Sequence, residues 1–302
     1  MLRVVELSGG VGGARLARGL SQIPGIDLTI VVNVGDDDVI HGLHVSPDLD
    51  TVVYTMAGLE GTQGWGRADD SFVTNTELER FGVDNRFQLG DKDVAINILR
   101  TAALRSGVSL SKFTSEIVDR LGIGCAVIPV TDDSLRTLVQ IESGEVLSFQ
   151  DYFVIRQHRE TVVGLEFTGS ATPAPGVVEA IREADTVIIG PSNPPLSIWP
   201  ILSVQGVREE VRRHPNVVAI SPLFGGKALK GPADRVMRSL GLSPGTRGVL
   251  EAYEGLIDRL IIDVADASDP ASHSGSVAVE PHDTRIVEAA AARRLGEEIL
   301  RG

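Results

Sequence analysis

The stretch Met1-Leu-Arg-Val-Val-Glu-Leu-Ser-Gly-Gly-Val-Gly-Gly-Ala-Arg-Leu16 decides how the rest of the chain is read. Its apolar run, residues 4–7, enters four glycines in five positions, Gly9, Gly10, Gly12 and Gly13. A helical pattern of Ala14, Leu16, Ala17 and Leu20 follows. This reads as strand, tight turn and helix. Such a turn brings backbone close to a diphosphate and aims the first N–H groups of the helix at the anion. Arg15 in the first helical turn opposes the helix dipole, a cost that a bound phosphate reverses; a surface arginine is the other reading. Counting from Gly10, the third glycine of a dinucleotide fingerprint falls on Arg15, and no Lys-Ser/Thr pair follows Gly13. A hydride-transfer enzyme and a Walker-type NTPase are both disfavoured.

Outward from the turn, residues 28–34 (Leu-Thr-Ile-Val-Val-Asn-Val) form a β-branched run suited to a buried parallel strand. It carries Asn33 and ends in Gly35-Asp36-Asp37-Asp38, an acidic loop at a strand's carboxyl end, where α/β sheets bind ligands. Ser46 and Pro47 then suit the cap and first position of a helix whose Leu49, Val52, Val53, Met56 and Leu59 make one apolar face. Asp48 and Asp50 in its first turn complement the dipole. Together with the acidic loop they also offer the hard oxygens that Mg²⁺ selects. His41 and His44 lie between the two acidic groups and read as structural or as assistants in proton transfer.

Trp65, between Gly64 and Gly66, is either a stacking platform for a flat ligand or a packing anchor. Helices expected at residues 75–82, from about 87–93 through 105, and at 110–121 form a lid or side layer. Residues 127–130, 136–141, 146–155 and 162–167 read as antiparallel additions, a β insertion spanning about 127–168. The α/β rhythm resumes with a helix at 177–183 and a strand at 186–189. That strand enters Gly190-Pro-Ser-Asn-Pro-Pro195, where Ser192 and Asn193 suit a nucleotide-binding loop or a rigid turn. Lys227 and Lys230 follow the buried run 216–222 and are available to phosphate. Residues 263–302 form a variable C-terminal segment, small and polar through 276, closing with an amphipathic helix over 285–300.

The whole is expected to be a single α/β domain, residues 1–302: a Rossmann-like core with a mainly parallel sheet, a helical side layer and a small antiparallel insertion. A net charge of -13 over 302 residues argues against a nucleic-acid binder. Cys125 is the one cysteine, so no internal disulfide forms, and its apolar surroundings suit a small core residue. No apolar stretch reaches membrane-spanning length, and the N-terminus is strand-like rather than a signal peptide, so a cytoplasmic protein without membrane contact is expected.

Seven stretches in order carry a further signal: Gly9-Gly-Val-Gly-Gly13, Val32-Asn-Val-Gly-Asp-Asp37, His41-Gly-Leu-His-Val-Ser-Pro-Asp-Leu-Asp-Thr51, Gly64-Trp-Gly66, Leu89-Gly-Asp-Lys-Asp93, Gly190-Pro-Ser-Asn-Pro194 and Ser221-Pro222. The set resembles the 2-phospho-L-lactate transferase family, with its phosphoenolpyruvate transferase branch, of factor-420 deazaflavin coenzyme biosynthesis. The resemblance runs to about residue 262 and departs from the pattern after Asp263. It implies a Rossmann-like core, a homodimer, Mg²⁺ and two substrates, a guanosine diphosphate ester of a three-carbon acid and the deazaflavin Fo. A ribityl hydroxyl of Fo would attack the phosphorus bearing the acid, and GMP would leave. Under that reading Gly9, Gly10, Gly12, Gly13 and Arg15 hold the diphosphate, Ser192 and Asn193 face the nucleoside, and Trp65 borders the deazaflavin. Asn33 and Lys227 join them as substrate contacts. Asp36, Asp48 and Asp50 are the expected metal ligands, and Asp37, His44 and Asp50 the expected catalytic groups. The glycine turn forms one wall and the acidic residues the opposite one. A non-catalytic nucleotide-sugar-binding regulator and, more weakly, a dehydrogenase with Asp36 on the cofactor ribose are the competing readings.

Overall fold

In the computed structural model, residues 1–273 and 275–301 are described. The opening stretch forms strand β1 (Leu2–Ser8) and helix α1 (Val11–Leu20), followed by β2 (Ile26–Val32). A hairpin of β3 (Asp38–Ile40) and β4 (Leu43–Val45) leads into α2 (Pro47–Ala57), and α3 (Val73–Arg80), α4 (Asp91–Arg105) and α5 (Leu110–Arg120) make the side layer. Next come β5 (Ala126–Pro129) and the strands β6 (Arg136–Ile141), β7 (Val146–Ser148) and β8 (Val162–Thr168). The second half runs α6 (Val177–Glu183), β9 (Thr186–Ile189), α7 (Trp199–Ser203), α8 (Val207–Arg213) and β10 (Val217–Ile220). A short hairpin, β11 (Leu223–Phe224) and β12 (Lys227–Ala228), precedes α9 (Ala233–Ser239) and α10 (Gly245–Ala252). The chain closes with β13 (Arg259–Asp263), β14 (Ala278–His282) and α11 (Ala289–Arg301).

The central sheet has the order β14-β13-β10-β9-β1-β2-β5, with every pairing parallel. Counted along the chain its strands run 3-2-1-4-5-6-7, the doubly wound Rossmann order with one strand added. The chain reverses direction between β1 and β9, and ligands of such sheets bind beyond the carboxyl ends at that switch. The turn after β1 holds Gly9 and Gly10 and the first turn of α1 holds Gly12 and Gly13, while the loop after β9 holds Ser192 and the loop after β2 holds Asp36. Topology alone therefore gathers them. The strands are sealed on both faces: Val4, Val5, Leu7, Ile30, Val31, Ile188 and Ile220 are at most 2% exposed. Burying such a side chain contributes about 1.5–3 kcal/mol, which is why the strands read as unbroken apolar runs.

Three expectations change. Residues 127–130 do not belong to the β insertion, because β5 pairs parallel with β2 through Ile30 and Val127; the antiparallel sheet is β7-β6-β8, so the insertion starts with β6. A short apolar run does not reveal which partner it will find. The strand expected over 146–155 stops at Ser148, and Asp151–Ile155 winds into a helical turn that buries Tyr152. The C-terminal segment is part of the core. β14 extends the parallel sheet, and α11 packs on α1 so closely that a Cβ on Gly19 would lie 2.4 Å from the Ala292 backbone. Of the polar stretch 263–276, Ser274 lies outside the described residues. No helix among the described residues is long and apolar enough to cross a membrane.

Candidate active site

The glycines are required by the protein's own neighbours. A Cβ on Gly12 would sit 2.1 Å from the Pro191 carbonyl oxygen, one on Gly13 2.1 Å from Ser8 Oγ, and one on Gly9 2.5 Å from Ser197 Cβ. The turn after β1 is thus pressed against the loop after β9. Ser192 completes the junction, its hydroxyl accepting the Gly9 N–H at 3.0 Å. Asn193 spends its side-chain oxygen on the Leu196 N–H at 3.2 Å, capping the turn over Pro194–Ile198. Both residues act first as supports of the turn.

Asn33, fully buried, organises the acidic group. Its amide donates to Asp36 Oδ1 at 3.2 Å and to Asp48 Oδ2 at 2.9 Å, while its oxygen accepts the Gly35 N–H. Asp36 Oδ2 accepts the Asp48 N–H at 3.1 Å, so an aspartate from the β2 loop satisfies the start of α2. Ser46 holds the cap position expected of it but turns its hydroxyl to Asp37 Oδ2 at 2.7 Å, making no cap bond. The same oxygen lies 2.9 Å from His44 Nε2. Asp37 Oδ1 is buried and has no hydrogen-bond partner among the described residues. Asp36 is held well above the usual carboxylate range by burial, then by the charges of Asp48 and Asp37. Burial likewise raises Asp48, against the lowering effect of the Asn33 bond. Three carboxylates lie together, and among the described residues no arginine or lysine is hydrogen-bonded or ion-paired to any of them; His44 is the basic side chain in contact, on Asp37.

The glycine turn and the acidic group are adjacent, not on opposite walls. A Cβ on Gly10 would lie 2.5 Å from Asp48 Oδ1, and the nearby Gly10 backbone favours the charged form of that carboxylate. An anion at the start of α1 would meet Asp48 directly.

Asp50 points elsewhere on the wall and is paired with Arg100 of α4. Arg100 is 2% exposed, and its Nη1 donates to Asn97 Oδ1 at 2.7 Å and to the His44 carbonyl at 3.3 Å. The adjacent Thr101 hydroxyl accepts the His44 N–H at 2.8 Å. Sequence reasoning passed over Arg100, Asn97 and Thr101. The pattern shows an apolar stripe of Ala95, Ile98, Leu99 and Ala102 on α4 but not which way it turns, and in the structure it is this stripe that faces solvent. Gln150 was also missed. From the insertion it donates to the Asp36 carbonyl at 2.6 Å and pins the acidic loop.

The remaining expected residues lie at the rim. Gly64 sits over α1, where a Cβ would be 2.8 Å from Val11 and 3.2 Å from Arg15 Nη2, and Trp65 beside it is 60% exposed. Lys227 is exposed on β12 and contacts none of the other expected site residues by hydrogen bond or ion pair among the described residues. Lys230 reaches across to the Gln63 carbonyl at 3.0 Å, tying its loop to the Trp65 loop. Among the described residues no three His, Cys, Asp or Glu side chains form a ready metal-binding set.

Comparison with known proteins gives the family and the fold. The chain is 40% identical to a 2-phospho-L-lactate transferase of Methanopyrus kandleri over 99% of its own length and 97% of the relative's. It is 43% identical to a phosphoenolpyruvate transferase of Streptomyces coelicolor, covering 88% and 86% of the two chains. A crystal structure of a UPF0052-family protein from Bacillus halodurans has the same fold, with a TM-score of 0.65 at 19% identity over 99% of each chain. A sequence model of 2-phospho-L-lactate transferase CofD matches residues 4–300, continuing through β14 and α11 past the point where the short motifs end. The chain belongs to the 2-phospho-L-lactate transferase CofD family of enzymes.

Proposed function

We propose that the protein transfers a phospho-organic-acid group, phospholactyl or phosphoenolpyruvyl, from its guanosine diphosphate ester to a ribityl hydroxyl of the deazaflavin Fo. GMP is released and the factor-420 coenzyme precursor forms. The oxygen–phosphorus bond to the hydroxyl forms as the bond to the GMP oxygen breaks, and the hydroxyl proton is lost to a base. The observation that carries this reading is the contact of Gly10 with Asp48: a helix start built for an anion adjoins three carboxylates.

Such a juxtaposition repels a diphosphate unless positive charge lies between. The residues fit Mg²⁺ on that ground, since Asp37 Oδ1 is a buried acceptor without a partner among the described residues, and the Asp36 carboxyl, held above its ordinary range by burial beside Asp48 and Asp37, would be stabilised in its charged form by a cation. Mg²⁺ commonly takes one or two carboxylates and completes its shell with water and phosphate, so a ready set of three side chains is not required. Asp36 and Asp48 would hold it; Asp50, already paired with Arg100, has less charge to give. The bound ion would neutralise phosphoryl charge.

The α1 N–H groups and Arg15 orient the diphosphate. The contact of His44 Nε2 with Asp37 supports His44, through its other ring nitrogen, as the acceptor of the hydroxyl proton. Positioning and charge neutralisation supply most of the rate in phosphoryl transfer. Trp65, Asn193 and Lys227 border the substrates in this reading, and a cytoplasmic homodimer completes it; light scattering from a monomer would remove the dimer.

Incubation of the protein with Fo, Mg²⁺ and a panel of guanylylated three-carbon acids tests the reaction by mass spectrometry. GMP and a phosphodiester-linked deazaflavin are expected with one or more donors. No product from any of them would sink the proposal.

A further inference from the structure

We infer that Arg100 is a positioning residue of this transferase site, fixing the Asp50 carboxylate of α2 and the His44 carbonyl of β4 relative to each other. The inference rests on the reading of the acidic wall as the active site.

Helix α4 buries a polar group in the middle of its inner face. Asn97, Arg100 and Thr101 are buried, flanked by half-buried Ile96 and Leu104 that pack on the core, while Ala95, Ile98, Leu99 and Ala102 are exposed, with Ile98 and Leu99 more than half accessible. Stability alone favours the reverse, because an apolar inner face gains on burial and an arginine loses its hydration. Local rules are broken in this way where a site requires it. The polar stripe has a common target. Arg100 Nη2 binds Asp50, its Nη1 binds Asn97 and the His44 carbonyl, and Thr101 binds the His44 N–H. His44 is therefore held at both backbone polar groups by one helix, while the same guanidinium holds Asp50. The Phe113 ring, 5.7 Å from the guanidinium carbon, backs the arrangement.

A planar fork reaches two acceptors at once, and a lysine ammonium at the end of a flexible stem does not hold the same geometry. The Arg100→Lys variant keeps the charge and loses the fixed spacing. In the full-length protein it is expected to fold, to keep the donor KM within about twofold, and to lose kcat by about 30-fold or more. Hydrogen exchange over residues 38–50 is expected to quicken, with residues 217–220 of β10 as an unchanged reference. Wild-type kcat in Arg100→Lys, or a lowered melting temperature with kcat and KM both intact, overturns the inference and leaves Arg100 as scaffold.

Thr101→Val removes one grip on His44 without touching a buried charge. It decides the matter if the lysine variant does not fold: a kcat loss of about fivefold or more at constant KM supports positioning, and an unchanged kcat overturns it. If the wild-type protein turns over no donor, the transferase reading fails by itself. The exchange comparison then decides alone, with unchanged exchange over 38–50 overturning the role of Arg100 and selective quickening supporting it.

Discussion

Around Gly9, Gly10, Gly12 and Gly13 the structure is defined by absent side chains, whereas a few ångströms away, around Asp36, Asp37, Asp48 and Asp50, it is defined by charged ones. The glycine side is a backbone junction, closed on Pro191, Ser192 and Ser197 of the β9 loop. The acidic side is assembled from the β2 loop, α2, the β3–β4 hairpin and α4, with Asn33 and Arg100 as its organisers. Steric fit is intolerant but indifferent to pH and cations. Clustered carboxylates tolerate isosteric change but respond to both. The two regions should therefore fail in different ways.

The largest effect is expected on the glycine side. Gly12→Ala places a methyl group 2.1 Å from a backbone oxygen, so the β1 and β9 loops must part. Overpacking of this kind costs about 1–3 kcal/mol, visible in urea denaturation, and a misplaced anion seat should cost about 100-fold in turnover. An alanine variant with normal stability and rate would show that the junction is looser than the contact implies.

Asp48→Asn should separate activity from stability. Turnover is expected to fall by about 100-fold, with weaker Mn²⁺ binding by calorimetry, because a ligand oxygen and its charge are lost. Stability should rise by about 0.5–2 kcal/mol, since one buried like charge is removed beside Asp36. A fall in stability would mean that the carboxylates are not the strained component.

The smallest effect on rate is expected at Glu6, which lies on β1 beneath both regions. It is fully buried, both carboxylate oxygens are without partners among the described residues, and a Cβ on Gly190 would lie 2.7 Å from Oε1. Burial holds its carboxyl well above its ordinary value of 4.5. The native state therefore binds a proton that the unfolded chain releases above that value. This contribution is complete below the unfolded value and is lost as pH rises through the native one. Glu6→Gln should keep wild-type turnover at neutral pH and flatten the decline of stability toward alkaline pH. Parallel stability–pH curves for the two proteins would remove Glu6 from the account.

Much of this was legible before any coordinates. The run Val4 to Leu7, the glycines and the β-branched residues 28–34 announce strand, turn, helix and strand, because local patterns govern local geometry. Asp36, Asp37, Asp48, His44 and Asn33 were recognisable as a polar group at a strand end, and they do converge. The placement of Ser192 beneath Gly9 was not legible, since a hydrogen bond between residues 183 positions apart leaves no periodic trace. Nor was α4, where an amphipathic pattern reveals that a helix has two faces but not which one turns inward.

The sequence by itself determined the α/β class, the glycine turn, the acidic loop and the membership of the transferase family. These follow from short-range spacing and from an ordered set of motifs. Tertiary structure alone decided that β5 and β14 complete the parallel sheet, that the turn touches the acidic wall at Gly10 and Asp48, and that Asp50 is held by Arg100. Each is a pairing between distant segments. Its energy depends on which surfaces remain to be buried or neutralised once every other element is in place.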